Sequence, residues 1–214
     1  KKIIRKLISP NATPMDIGCH KGEILAYLIK KAPLGTHFAF EPIPDFYHQL
    51  KEKFANEATI YPYALSTENK QTNFHYVKNA PAYSGLNKRK YAIDNPDIEK
   101  IDVEVKRLDD VIPTDVPIHF IKIDVEGGEF DVMLGGKELL KKNQPTILFE
   151  CGLGATEFYQ TKAKDIHLFL TEEIGLQVFT LNHWLEEKAA LTNEQFCNMF
   201  NNNTEYYFIA DKGW

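Results

Sequence analysis

Residues 118–129 read IHFIKIDVEGGE. Ile118, Phe120, Ile121, Ile123 and Val125 form an apolar run of the kind needed by a strand covered on both faces, and the run stops abruptly in Asp124 and Glu126 before Gly127 and Gly128. A core strand therefore ends in acids. In open α/β sheets ligands bind just past the carboxyl ends of parallel strands, so charge placed there can meet a substrate. The ordinary alternative is that Asp124 or Glu126 caps the helix beginning near Glu129.

Outward from this strand the chain alternates between two periodicities. Thr13–Ile17 is short, partly apolar and closes at Gly18; after Gly22, the residues Ile24, Leu25, Leu28 and Ile29 recur at helical spacing. This predicts strand, tight turn, helix, with Gly35 as the stop. His37–Glu41 gives a second strand, and Phe46, Leu50 and Phe54 mark a helix over 42–54. Thr59–Leu65 gives a third strand whose Pro62 implies a sheet edge or an irregular start. Later come a helix over about 129–142, a strand at Thr146–Glu150, a helix over about 163–174 stopped by Gly175, and strands at Leu176–Leu181 and Tyr206–Ala210. Thr192 and Gln195 have capping-box spacing ahead of Phe196, Met199 and Phe200.

Residues 66–107 break this rhythm. TNFHYV is strand-like, YSGLNKRKYAIDNPD is loop-like, and in IDVEVKR the apolar Ile101, Val103 and Val105 alternate strictly with polar neighbours. We expect a small antiparallel insertion with one wet face, beside an α/β sheet that is mostly parallel, carries helices on both faces and has one antiparallel edge strand.

At 214 residues and 43% hydrophobic, the chain suits one domain spanning residues 1–214. No apolar run approaches the ~20 residues that span a bilayer, and no signal-peptide pattern is visible; because position 1 is Lys, the chain is expected to be processed or trimmed. Lys and Arg total 25 against 30 Asp and Glu, and the net charge of -5 argues against nucleic acid. Lys88, Arg89 and Lys90 can hold a phosphate or acidic substrate but are expected to form a solvated loop. KKIIRKLI is read as a first helix that packs, in preference to one lying on a membrane. Cys19, Cys151 and Cys197 are odd in number and far apart, which fits a reducing cytoplasm, and neither they nor the histidines have metal-ligand spacing.

The first turn, Asp16-Ile17-Gly18-Cys19-His20-Lys21-Gly22, lacks the GxGxxG series of dinucleotide sites and the GxxxxGK of a Walker loop. Glu41 ends the second strand 23 residues after Gly18, where an acid can accept both hydrogens of a ribose diol. Asp16 suits a cationic ligand better than a phosphate. Together these fit S-adenosylmethionine, which has an ammonium and a sulfonium, although helix capping, turn formation and surface exposure explain each residue singly.

DIGCHKGE, AFEP, YPYALS, VKRLDDVI, FIKIDVEGGEFDVMLGG and ILFE stand in the order seen in FkbM-like methyltransferases, and the chain resembles that family over roughly residues 13–152. The resemblance implies a seven-stranded, Rossmann-like class I methyltransferase fold, S-adenosylmethionine over Asp16, Gly18 and Glu41, and methylation of a hydroxyl near the end of the Asp124 strand. It departs at Cys19-His20, where members commonly carry Ala-Asn.

Methyl transfer to oxygen needs an acceptor about 3 Å from the methyl carbon and a base to take its proton. Asp124 and Glu126 are the candidate catalytic acids, with Glu150 in reserve; a divalent ion held by the pair ranks second. Candidate cofactor contacts are Asp16, Gly18, Cys19, Gly22 and Glu41, with Ala64 and Leu65 against adenine. Tyr83, Ser84, Gly85, Phe158 and Tyr159 are candidate contacts to a small-molecule or glycan acceptor, or ordinary loop anchors. The expectation is an S-adenosylmethionine-dependent O-methyltransferase. A non-catalytic binding module with the same fold and an NAD-dependent oxidoreductase are the alternatives, the second disfavoured by the missing third glycine.

Overall fold

The computed structural model describes residues 2–213. Its strands are β1 (Pro14–Ile17), β2 (Phe38–Phe40), β3 (Thr59–Tyr61), β4 (Tyr63–Leu65), β5 (Lys70–Val77), β6 (Ile98–Lys106), β7 (Phe120–Ile123), β8 (Thr146–Glu150), β9 (Gln177–Thr180) and β10 (Tyr207–Asp211). Its helices are α1 (Lys2–Leu7), α2 (Glu23–Lys31), α3 (Pro44–Lys53), α4 (Leu108–Val111), α5 (Glu129–Gly135), α6 (Lys137–Asn143), α7 (Ala163–Leu168), α8 (Leu181–Leu185) and α9 (Asn193–Asn201). Among these residues no helix is long and apolar enough to cross a membrane.

Seven strands form one sheet in the order β3-β2-β1-β7-β8-β10-β9. Pairing from β3 to β8 is parallel; β10 is antiparallel to both its neighbours, one place in from the edge strand β9. The opening stretch supplies the central strand. Phe120, Ile121 and Ile123 are at most 1% exposed, as a strand with helices on both faces requires, and each such burial contributes roughly 1.5–3 kcal/mol. The sheet reverses order between β1 and β7, so the ends of those two strands open the crevice where ligands bind in such folds.

Three elements differ from expectation. The strand over 59–65 is two: β3 stays on the large sheet's edge, while β4 pairs in parallel with β6 of a separate three-stranded sheet. Pro62 stands at the crossing, where its missing N–H makes it unable to continue a ladder. The helix over 129–142 breaks into α5 and α6 at Gly135-Gly136, because the chain runs so close to Ser66 that a Cβ on Gly135 would lie 2.1 Å from its carbonyl oxygen. The helix over 163–174 is α-helical only to Leu168 and continues as a π-helical stretch, closed by the Gly175 N–H donating to Leu170 O.

Other expectations are met. β5 and β6 pair antiparallel across residues 70–77 and 98–105, forming the insertion. The capping box is complete: Gln195 N–H donates to Thr192 Oγ1 at 3.2 Å, and Thr192 N–H to Gln195 Oε1 at 3.0 Å. α1 buries Ile3 and Ile4.

Candidate active site

The turn after β1 is welded to the end of β7. Gly18 has φ +74, and a Cβ there would lie 1.8 Å from Asp124 O, so a residue without a side chain is required on both counts. Asp124 N–H donates to Ile17 O at 3.1 Å, and Gly18 and Cys19 N–H both reach Phe40 O at 3.1 Å. The ends of β1, β2 and β7 thereby form one rigid rim.

Above this rim lies a cavity of about 280 Å³. Its acid side is Glu41, Asp124 and Glu126; its apolar wall includes Phe40, Ile43, Ala64, Leu65 and Phe74. Glu41 is 3% exposed and aimed by two backbone donors, His20 N–H to Oε2 at 2.7 Å and Ile43 N–H to Oε1 at 3.0 Å. Burial outweighs those bonds and raises its pKa to about 7. A buried, aligned acid at the second strand end, beside an apolar slot and an acidic floor, fits an adenosine group with a cationic tail.

Of the residues expected at the site, Gly18, Cys19, Glu41, Ala64, Leu65, Ser84, Asp124, Glu126 and Tyr159 line this cavity. Asp16 lies beneath it, fully buried, with its Oδ1 3.4 Å from Lys122 Nζ. An internal ammonium thus stands where the sequence reading placed the ligand's cation. Gly22 precedes α2 and packs on Leu50 and Phe54. Gly85 exchanges two backbone hydrogen bonds with His75, and the Tyr83 ring lies under the Arg89 guanidinium at 4.9 Å. Phe158 is 46% exposed and outside the lining; its carbonyl accepts from Asn87, whose N–H donates to Tyr159 Oη at 3.1 Å. Tyr159 and Phe158 therefore clasp the insertion loop to the main sheet. Ser84 is held likewise, its Oγ accepting from Val77 N–H at 3.0 Å.

The acids after β7 have separate fates. Neither Asp124 nor Glu126 caps α5: Glu129, fully buried, turns its Oε1 back to accept Val125 N–H at 2.9 Å and Gly127 N–H at 3.1 Å, and burial raises its pKa to about 7. Glu126 adopts a left-handed φ of +61 and is ion-paired with Arg89. Arg89 is therefore turned inward, 15% exposed, contrary to the solvated loop expected from its charged neighbours, because Glu126 and the Tyr83 face hold it. Asp124 lines the cavity, with its Oδ2 3.5 Å from Lys122 Nζ. Its charge also acts on Glu150 at the end of β8, whose pKa burial and the Asp124 charge raise to about 7; Tyr207 Oη donates to Glu150 Oε2 at 3.3 Å. Glu150 belongs to a smaller cavity of about 30 Å³ shared with Arg89, Glu126 and Tyr206.

Lys122 is the residue that sequence reasoning passed over. It was an interruption in an apolar run, yet two-residue strand alternation sets it on the face of Asp124 and opposite Ile121 and Ile123, a readable signal. His20 was also undervalued: its ring packs on Phe46 at 4.5 Å, it lines the cavity, and burial lowers its pKa. Among the described residues no group of three or more His, Cys, Asp and Glu is arranged to hold a metal ion.

Comparison with known proteins agrees with this fold. The family model for the methyltransferase FkbM domain matches residues 16–178. The 2-O-methyltransferase NoeI of Sinorhizobium fredii is 27% identical over 158 residues, covering 67% of this chain and 65% of that protein. Methyltransferase sdnD of Sordaria araneosa is 32% identical over 155 residues, covering 58% and 60%. Among solved structures, the methyltransferase FkbM from Methylobacillus flagellatus KT superposes with a TM-score of 0.59 at 15% identity, covering 95% of this chain and 44% of that one. The chain thus spans less than two thirds of each of these relatives.

Proposed function

The chain belongs to the FkbM methyltransferase family, whose cofactor is S-adenosylmethionine, and on that premise we propose that it methylates a hydroxyl oxygen of a small molecule or glycan. The observation that carries this reading is Asp124: an acid open to the cavity, at the end of the central strand, beside the turn that would hold the methionine end. Glu41 would accept the ribose hydroxyls, Ala64 and Leu65 would meet the adenine, and Gly18, Cys19 and His20 would flank the methionine moiety. When bound, the cofactor supplies an electrophilic methyl on a sulfonium and leaves as a neutral thioether.

The chain's own residues then have two tasks. They would position the acceptor hydroxyl in the cavity, and Asp124 would take its proton when the cofactor supplies the methyl group. Glu126 ranks behind Asp124, since Arg89 already engages its carboxylate. Ser84 and Leu86 of the insertion line the cavity and Tyr159 accepts from Asn87 of that loop, which supports the insertion as the wall that would meet the acceptor. The name of NoeI, a 2-O-methyltransferase, supports an oxygen acceptor.

The test has two parts. Titration calorimetry should show saturable binding of S-adenosylmethionine and of S-adenosylhomocysteine, and none of NAD. Screening hydroxylated sugars and metabolites with methyl-labelled cofactor should transfer label to oxygen. Cofactor binding with label transfer to none of the hydroxylated compounds would favour the non-catalytic binding module and refute the proposal.

A further inference from the structure

Lys122 lies inside a strand of the core, its side chain is 11% exposed, and its ammonium meets four groups from two parts of the chain, Ile17 O at 3.5 Å among them. In the β1–β7 register Asp16 stands opposite Lys122, so the two share a face, and Asp124 shares that face two residues on. The Nζ donates to Gly18 O at 2.8 Å and lies 3.4 Å from Asp16 Oδ1 and 3.5 Å from Asp124 Oδ2. Glu41 after β2, Cys19 in the turn and Glu150 at the end of β8 are the further titratable groups around this network.

We propose that Lys122 is a positioning residue that ties the cofactor turn to the acid facing the acceptor, holding Gly18, Asp16 and Asp124 as one charged unit. The proposal rests on the reading of Asp124 given above. A buried charge without a partner is costly, so Asp16, which is fully buried, needs this ammonium to remain ionised away from water, and the ammonium needs its carboxylate partners. The Asp16 and Asp124 charges outweigh the burial of Lys122 and hold its pKa above the ordinary lysine value. A lysine reaching the turn carbonyl and the strand-end acid at once makes the position of Asp124 depend on the cofactor turn.

Two variants test this: Lys122→Met, which keeps the chain length and removes the charge, and Lys122→Arg, which restores it. In Lys122→Met, carbon-13 NMR of labelled aspartates should show Asp16 protonated at pH 7, and affinity for S-adenosylhomocysteine should fall about tenfold. Lys122→Arg should return both towards native values. A purely space-filling role would lower the melting temperature but leave aspartate ionisation unchanged, and that result would overturn the proposal. So would a folded Lys122→Met that binds S-adenosylhomocysteine as tightly as the native chain. Failure of the native chain itself to bind S-adenosylhomocysteine would instead sink the methyltransferase reading. If Lys122→Met does not fold, the Lys122 ammonium nitrogen signal of the native chain decides: it should shift on saturation with S-adenosylhomocysteine, and an unmoved signal overturns the proposal.

Discussion

Glu41 should make cofactor binding depend on pH in a way that a substitution can isolate. Its carboxyl is raised to about 7 because it is buried, while the ribose hydroxyls it would accept require the ionised form. Binding should then release a proton and tighten as pH rises through 7. At pH 6 about one chain in eleven carries the ionised carboxylate and at pH 8 about ten in eleven, a tenfold change in Kd. Glu41→Gln keeps one acceptor oxygen and cannot ionise. It should lose about 1.5–3 kcal/mol at pH 8, roughly 10- to 150-fold in Kd. At pH 6 the native chain is itself weakened, so the ratio of variant to native Kd should shrink about tenfold. Titrations of the ligand cancel in that ratio. The assay is calorimetry with S-adenosylhomocysteine at both pH values, with thermal melts to confirm folding, since the new amide must face His20 or Ile43 N–H. An equal ratio at both pH values, or native affinity in the variant at pH 8, would refute the reasoning.

Burial raises the Glu129 carboxyl from its ordinary 4.5 to about 7 in the folded chain, so the folded chain keeps a proton that the unfolded chain has lost, and its contribution falls as pH rises through that window. Glu129→Gln keeps the acceptor for Val125 and Gly127 without the charge and should gain about 3 kcal/mol over the native chain between pH 4.5 and 8, read as a growing gap of about 6–12 °C in Tm; a constant gap contradicts this. Asp124→Asn should lower kcat about a hundredfold or more with S-adenosylhomocysteine affinity changed less than about threefold, whereas Glu126→Gln should cost less than about tenfold; the reverse order in steady-state kinetics would exchange their roles. Gly18→Ala must place a methyl group against Asp124 O in a left-handed backbone and should cost about 2–5 kcal/mol by urea unfolding; a neutral result would show that the turn can separate from β7.

Much of the frame was legible because it rests on local periodicity. The apolar runs at 120–123 and 146–150 and the four-residue spacing of Phe46, Leu50 and Phe54 depend only on which residues must avoid water. The boundaries that were misplaced depend on contacts distant in sequence. Gly135 breaks a helix because Ser66 passes beside it, and Pro62 moves a strand to a second sheet because β6 waits there.

The site divides in the same way. Glu41 and Asp124 could be placed from sequence, since a residue at the end of a core strand is at the ligand-binding edge of a parallel sheet wherever the rest of the chain goes. The sequence by itself thus determined the family, the α/β frame and which acids end the central strands. Tertiary structure alone decided what each acid faces: Lys122 beside Asp16, Arg89 on Glu126, Glu150 on Asp124, and the α5 backbone on Glu129. Strand period fixes the face a side chain leaves from. Its partner is fixed by which distant segments pack together, and the charge a buried acid can keep depends on that partner.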